Sequence, residues 1–163
     1  MRILIAMDMT PNGGAAVRVA ALRPWPSRSE FRVISVIETS RFVYPIGSEY
    51  LATEEPMSLF PKTRDAVEKK IVCASKLLTK NGSLVSHTIR LGNPPDEIIA
   101  EAAEWKADLI MLGTHSRRPL TSLLLGSVGQ RVAATAPCSV EVVREQSSEK
   151  PAEKSPSKSK QKT

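Results

Sequence analysis

Residues 107–143, ADLIMLGTHSRRPLTSLLLGSVGQRVAATAPCSVEVV, contain two short apolar segments separated by a loop and a helix-forming segment. Asp108 to Leu112 and Cys138 to Val143 are predicted to be buried strands because both are short and rich in apolar residues. Between them, Gly113 to Leu125 is predicted to be a loop, and Gly126 opens a helix. A strand, a crossover helix and a second strand form the unit from which parallel sheets are built.

The rest of the chain repeats this alternation. Further strands are predicted at Arg2 to Met7, Phe31 to Glu38 and Leu84 to Leu91, and further helices at Ala15 to Leu22, Thr63 to Lys80 and after Pro95. The apolar faces predicted for these helices are Ala15, Val19 and Leu22 in the first, Val67, Ile71, Ala74 and Leu78 in the second, and Ile98, Ala102 and Trp105 in the third. Thr39 to Pro61 shows no clear period and is predicted to be a long surface loop with at most a turn of helix.

Strands that alternate with helices indicate an α/β domain with helices on both faces of a parallel sheet. We predict a single doubly wound, flavodoxin-like sheet of five strands in the order 3-2-1-4-5, formed by residues 1–145. Residues 146–163 are rich in Lys and Ser and cannot bury enough apolar surface to order themselves, so we predict that this tail is disordered.

The composition narrows the class of protein. The 163 residues are 41% hydrophobic and 25% charged, as in ordinary soluble domains, and no apolar run is long enough to cross a bilayer. We therefore expect a cytoplasmic protein without a membrane partner. Cys73 and Cys138 form no CxxC pair and are expected to be buried thiols. The net charge of +6 lies partly in the tail and is not interleaved with aromatic residues, so it does not favour a nucleic-acid partner.

The predicted sheet order also indicates where a ligand binds. In such a sheet the site lies at the carboxyl ends of the strands, where strands 1 and 4 diverge. Asp8 to Thr10 follow strand 1, and the loop after strand 4 leads to Gly126 and Ser127 at the start of a helix, whose free N–H groups favour an anion. The spacing alone leaves open that Ser127 is an ordinary N-cap and that Gly126 is an ordinary turn residue.

Neither the P-loop pattern GxxxxGK[ST] nor a GxGxxG after strand 1 is present. Instead, Gly113-Thr114-His115-Ser116, nine residues, and then Gly126-Ser127-Val128 resemble the G-x2-G-x9-G-[ST] signature of the universal stress protein family. The opening MRILIAMDMT, the segment from Gly92 to Ile99 (GNPPDEII) and the stretch ADLIMLGTH also resemble segments of that family. The resemblance covers nearly everything from Met1 to Arg144, and only the middle loop and the tail lie outside it.

The resemblance implies the adenine nucleotide α-hydrolase-like fold and a site for ATP, or for AMP or ADP, with Mg²⁺ as an accompanying ion. The implied nucleotide-binding residues are Asp8, Thr10, Val36, Gly113, Ser116, Gly126, Ser127 and Val128. Asp8 and Val36 correspond to positions beside the adenine and ribose, and the residues of the glycine signature correspond to the cradle for ribose and phosphates. Ser116 replaces the second glycine of the signature, which would introduce strain if that position needs a positive φ.

The resemblance and the residues together predict a stress-response or signalling protein that binds a nucleotide and is not an enzyme. His115 has no recognisable nucleophile or orienting acid, so no catalytic residue is assigned. The alternatives are a dimeric interaction protein of the same fold that has lost nucleotide binding, which Ser116 favours, and a slow ATPase. The resemblance further implies a homodimer that pairs through the last strand, Cys138 to Val143, where Glu141 is either an edge guard or solvent-facing.

Overall fold

The computed structural model describes residues 1–10, 13–38, 55–79, 82–113 and 126–144, with side chains described from residue 61 onward in the third of these ranges. Strands and helices alternate strictly along the chain. Their bounds are β1 Arg2–Ala6, α1 Ala15–Leu22, β2 Glu30–Glu38, α2 Glu55–Thr79, β3 Leu84–Gly92, α3 Pro94–Glu104, β4 Leu109–Gly113, α4 Ser127–Thr135 and β5 Ser139–Val143. Among the helices described, none is both long and apolar enough to cross a membrane.

The five strands form one parallel sheet in the order β3-β2-β1-β4-β5, which confirms the predicted fold class and topology. In the central strand β1, Ile3 pairs with Phe31 of β2 on one side and with Leu109 of β4 on the other. Three consecutive residues of β1, from Ile3 to Ile5, are fully buried. A strand that is apolar along its whole length is typical of a parallel sheet covered by helices on both faces.

The side chains of β1 alternate between two cores. Ile3 and Ile5 belong to the core that includes Val17 of α1 and Ile71 of α2. Leu4 faces the opposite core, which contains Ile98 and Ala102 of α3 and Val132 of α4. The first two helices therefore cover one face of the sheet, and the last two cover the other.

The apolar face predicted for α1 is wrong in part. Ala15 is buried as expected, but the other buried residues of this helix are Ala16, Val17 and Ala20. Val19 is only half-buried, and Leu22 is 87% exposed. The helix carries apolar residues all round, so periodicity alone does not identify the face that touches the sheet.

Two other sequence predictions change. Helix α2 begins at Glu55 rather than near Thr63 and contains Pro61, which falls in its second turn and removes one helical hydrogen bond. The predicted loop is therefore shorter than 39–61, and its residues 39–54 lie outside the described part of the chain. Cys73 is exposed rather than buried, whereas Cys138 is half-buried and burial raises the pKa of its thiol.

A buried carboxylate joins α3 to two strands. Glu101 is 3% exposed, and its two oxygens accept hydrogen bonds from Arg32 Nη1 of β2 at 2.7 Å and from Arg90 Nε of β3 at 2.6 Å. Arg32 also lies over the ring of Trp105, with 4.6 Å between Cζ and the ring centroid. Arg90 additionally donates to Glu104, and that hydrogen bond raises the pKa of Arg90 and lowers the pKa of Glu104.

Replacing Glu101 by Ala is expected to destabilise the protein by about 3 kcal/mol, because it leaves two guanidinium groups without their shared carboxylate in a half-buried site. Glu104→Ala is the matched control, because Glu104 lies on the same helix and also binds Arg90, but its side chain is 64% exposed. Urea denaturation measures both variants. Equal losses for the two variants would show that burial of Glu101 is not the source of its contribution.

A second ion pair crosses from α1 to the edge strand β5. Arg23 follows α1 and donates through Nη1 and Nη2 to the two carboxylate oxygens of Glu141, both at 2.6 Å. The hydrogen bond with Arg23 lowers the pKa of Glu141 and raises that of Arg23. Glu141 is thus neither an unpaired edge guard nor a purely solvent-facing residue, because it links the edge strand to the helix beneath it.

The lowered pKa of Glu141 predicts how stability depends on pH. The folded-state pKa is below the ordinary value of 4.5, so the ion pair contributes fully above that value and its contribution disappears as pH falls through the folded-state pKa. The stability difference between wild type and Glu141→Gln is expected to be up to about 1 kcal/mol near neutral pH and to vanish in acid. Urea titrations across this pH range measure it. Glu30→Gln is the control for a weaker ion pair. The Glu30 Oε2 atom lies 3.6 Å from Arg2 Nε, which is longer than a hydrogen bond, and the Glu30 side chain is 40% exposed. A difference for Glu141→Gln that grows in acid would contradict the assignment.

Candidate functional site

The candidate site lies where the chain diverges at the carboxyl edge of the sheet. β1 ends at Ala6, which pairs with Leu112 of β4, so the loops that leave these two neighbouring strands start side by side. β1 leads into α1 on one face of the sheet, and β4 leads towards α4 on the other. A divergence of this kind is where ligands bind in open α/β sheets.

A polar turn follows β1. The Asp8 carboxylate oxygen Oδ1 accepts hydrogen bonds from the Thr10 backbone N–H at 3.0 Å and from the Thr10 hydroxyl at 2.7 Å. This is the turn that Asp side chains commonly form with the backbone two residues later. The Met7 N–H donates to the carbonyl of Ile34 at 2.9 Å, which ties the start of the turn to β2. Two predicted site residues, Asp8 and Thr10, are therefore in direct contact.

Gly13 closes against this turn. Its N–H donates to the Thr10 carbonyl at 3.1 Å. A Cβ atom at this position would lie 2.2 Å from Asp8 Oδ1 and 2.3 Å from the Asp8 carbonyl oxygen. No side chain fits at these distances, so the conformation of the Asp8 turn depends on glycine here.

Lys70 reaches the same turn from α2. Its Nζ donates to the carbonyl of Thr10 at 2.6 Å and to the carbonyl of Asp8 at 3.1 Å. Lys70 is half-buried, in contrast to its exposed neighbour Lys69. The two contacts join residues that are about sixty positions apart in the sequence, and they satisfy two loop carbonyls with a charged donor.

The start of α4 provides backbone donors at the same edge of the sheet. Gly126 is the N-cap, and its carbonyl accepts the first helical hydrogen bond from Gln130 at 2.9 Å. Ser127 is therefore the first residue of the helix and not its N-cap, which excludes one of the interpretations left open by the sequence. No side-chain cap and no acidic residue occur in the described first turn. A Cβ added to Gly126 would meet no atom of the described residues within 4 Å.

The remaining predicted residues separate into three groups. Val36 of β2 and Val128 of α4 are both half-buried and pack against the same core, which contains Leu4 and Ile34. Gly113 ends β4, and a Cβ added there would lie 3.9 Å from Ala15 Cβ at the start of α1. Ser116 lies outside the described residues, as do His115, Arg117 and Arg118.

Comparison with known proteins identifies the family. The sequence profile of the Universal stress protein family matches residues 1–144. The chain belongs to this family. The resemblance predicted from the sequence is thereby confirmed for the whole stretch over which it was seen. The family match extends over every strand and helix that the structure describes.

Individual relatives agree with the family assignment. The chain is 36% identical over 119 residues to Universal stress protein MJ0531 of Methanocaldococcus jannaschii, an alignment that covers 71% of this chain and 65% of that protein. The structure of hypothetical protein MJ0577 superposes with a TM-score of 0.75 at 24% identity, covering 90% of this chain and 97% of the other. A universal stress protein from Archaeoglobus fulgidus, solved in complex with dAMP, superposes with a TM-score of 0.58 at 18% identity, covering 88% and 97%. The chain thus spans just under two thirds of the first relative.

Gly13 and Lys70 are the two residues of this site that the sequence did not indicate. In the sequence, Gly13 is one of several turn-forming residues after β1, and no local pattern indicates its close approach to Asp8. Lys70 looks like any other charge on the polar face of a helix, and only the packing of α2 brings it to the turn. Within the described part of the chain, no three His, Cys, Asp or Glu side chains are grouped to hold a metal ion.

Gly13→Ala is expected to destabilise this universal stress protein by about 2 kcal/mol, because the added methyl group overlaps backbone and carboxylate atoms of Asp8. Gly14→Ala is the matched control, since the nearest atom to its Cβ would be Arg18 Nη1 at 3.1 Å, the end of a flexible side chain. Thermal and urea unfolding of both variants measure the difference. Equal stability of the two variants would show that the Asp8 turn tolerates a side chain at residue 13.

Proposed function

We propose that this universal stress protein binds an adenine nucleotide in the crevice between the β1 and β4 loops and acts as a binding module in a stress response or in signalling. The observation that carries the proposal is the arrangement at one edge of the sheet, where the Asp8–Thr10 turn and the uncapped start of α4 follow diverging strands. A nucleotide has an apolar base and an anionic phosphate end, and this edge offers groups suited to both.

The site residues divide between the two ends of such a ligand. Val36 and Val128 are half-buried apolar side chains on one face of the sheet, suited to line an adenine ring. Gly126 and Ser127 provide free backbone N–H groups, a hydroxyl and the positive end of the α4 dipole, all suited to phosphate. Asp8 and Thr10 lie beside the crevice, where we assign them to the sugar and its neighbourhood. The dAMP complex of the structural relative supports an adenine nucleotide as the ligand class.

We propose binding rather than turnover as the activity. The Asp8 oxygen Oδ1 accepts two hydrogen bonds from Thr10, so its main structural role is to hold the turn. General-base catalysis instead requires a group that reaches the reacting proton with a suitably tuned pKa. The proposal takes ATP, ADP and AMP as candidate ligands, with Mg²⁺ accompanying the phosphates.

A second candidate function is an interaction protein of the same fold that binds no nucleotide. The specific observation in its favour is Ser116, which stands where the family signature has its second glycine. In this case the functional surface would be a homodimer interface. Strand β5 is at the edge of the sheet, with one neighbour, β4, so its outer side is available for pairing with a second copy.

Adenine nucleotide is expected to be released when the purified protein is denatured, and calorimetry with ATP, ADP and AMP is expected to give a dissociation constant in the micromolar range, about −8 kcal/mol at 1 μM. Gly126→Ala is expected to weaken binding at least about tenfold, because its methyl group enters the space next to the helix start. The stability of this variant is expected to change by less than about 1 kcal/mol, since the added Cβ meets no atom of the described residues within 4 Å.

Gly82→Ala is the control for a glycine substitution remote from the proposed site. Gly82 precedes β3 and so lies at the amino-terminal ends of the strands, whereas the site lies at their carboxyl ends. Its positive φ of 71° makes it the more destabilising of the two variants. We expect Gly82→Ala to lose stability and keep its nucleotide affinity, the opposite pattern to Gly126→Ala. A wild-type protein that binds none of the three nucleotides would reject the proposed function and favour the interaction protein.

A further inference from the structure

We propose that Lys70 is the positioning residue of the nucleotide site, holding the Asp8–Thr10 turn in the conformation that meets the ligand and coupling that turn to α2. This inference rests on the proposed function for its ligand and on the hydrogen bonds of Lys70 for its mechanism. Among the described residues, Lys70 binds the backbone carbonyls of Asp8 and Thr10, so its proposed role is to act on the ligand through the turn.

The packing of α2 against the core fixes the point at which the Lys70 side chain leaves the helix. Its neighbour Ile71 is fully buried in the core beneath the sheet, and so is Val67 one turn earlier, so this part of α2 is firmly packed. Lys70 is half-buried beside them, while Lys69 and Glu68 are exposed. The ammonium group therefore emerges from a rigid helix at the boundary between core and crevice, with its apolar stem along the packed surface.

The two carbonyls that Lys70 binds flank a single residue, Met9. Peptide groups are planar and trans, so a carbonyl fixed on one side directs the following N–H to the other side. Anchoring the Asp8 carbonyl on α2 consequently turns the Met9 N–H away from α2. The Thr10 carbonyl is held twice, by Lys70 Nζ and by the Gly13 N–H.

These contacts complement those of the Asp8 side chain. Asp8 Oδ1 fixes the turn from within, through the Thr10 N–H and hydroxyl, and Gly13 closes it without a side chain. Lys70 attaches the turn to α2, whereas the Met7 N–H attaches the start of the turn to β2. Without Lys70, the turn loses its fixed orientation relative to α2, and its local hydrogen bonds open more often because α2 no longer holds the turn.

The functional consequence of the Lys70 contacts is a larger fraction of molecules in which the turn has the binding orientation. If only a fraction of the molecules hold the turn in the binding orientation, the apparent dissociation constant rises by the inverse of that fraction. The same linkage works in reverse, because a ligand that selects this orientation stabilises the contact between the turn and α2. Helix α2 is thus the element through which occupancy of the site is communicated to the face of the sheet covered by α1 and α2.

Lys70→Met tests this inference, with Lys69→Met as the matched control that removes the same charge from the same helix. Hydrogen exchange of the ligand-free proteins is measured at the Thr10 and Gly13 amides, both of which are bonded within the turn, and at Ile5 in β1 as an internal reference. Calorimetry with AMP is performed at a temperature at which all variants are folded by circular dichroism.

For Lys70→Met we expect exchange at Thr10 and Gly13 to accelerate about tenfold with Ile5 unchanged, and the dissociation constant for AMP to rise about tenfold. Lys69→Met is expected to match wild type in both measurements. If Lys70 only stabilised the fold, Lys70→Met would lower the melting temperature without changing amide exchange or the dissociation constant for AMP in the folded protein. That result would overturn the inference. Accelerated exchange with unchanged affinity would overturn the link to the ligand.

The exchange measurement uses no nucleotide, so it separates this inference from the proposed function. If wild type binds no adenine nucleotide, the proposed function is rejected together with the ligand part of the inference. The attachment of the turn to α2 is still decided by exchange at Thr10 and Gly13. If exchange at these amides is the same in Lys70→Met as in wild type, Lys70 does not position the turn.

Discussion

The structure depends on the position of β1 between β2 and β4, parallel to both. From β1 the chain builds outward to β2 and β3 through α1 and α2, and then crosses back to β4 and β5 through α3 and α4. Right-handed crossovers in opposite directions place the two helix pairs on opposite faces, and the two cores confirm that division. The chain therefore leaves β1 and β4 towards opposite faces, and this divergence at the carboxyl edge follows from the strand order.

This constraint leaves the carboxyl edge of the sheet rich in backbone groups without sheet partners, which have to be satisfied by other means. After β1, the carboxylate and hydroxyl of Asp8 and Thr10 satisfy part of the turn, and Lys70 satisfies two carbonyls from a helix packed on the sheet. At the start of α4, in contrast, the described residues provide no side-chain cap. The described turn after β1 is thus held by side chains, and the start of α4 is the part to which we assign phosphate binding.

Much of this arrangement could be predicted from the sequence, because most of the strands are short runs rich in apolar residues and the alternation with helices permits few topologies. The failures have local physical reasons. Helix α1 is apolar all round, so its buried face was misjudged at Leu22. Helix α2 tolerates Pro61 in its second turn, so its start was placed too late. Gly13, Lys70 and the ion pair of Glu141 depend on contacts between distant parts of the chain, which no local pattern records.

The two sides of the proposed base pocket also differ in how they are held. Val36 pairs in register with Arg90 of β3, and Arg90 is bound to the buried carboxylate of Glu101 on α3. The β2 wall is therefore part of a packed sheet braced by a charged network that joins two strands to a helix. The contacts described for the Asp8 turn are hydrogen bonds, among them those from Lys70, those within the turn and that of the Met7 N–H to β2. Because a contact of a few bonds opens more readily than a packed sheet, conformational response to a ligand is expected on the Asp8 side, while β2 remains fixed.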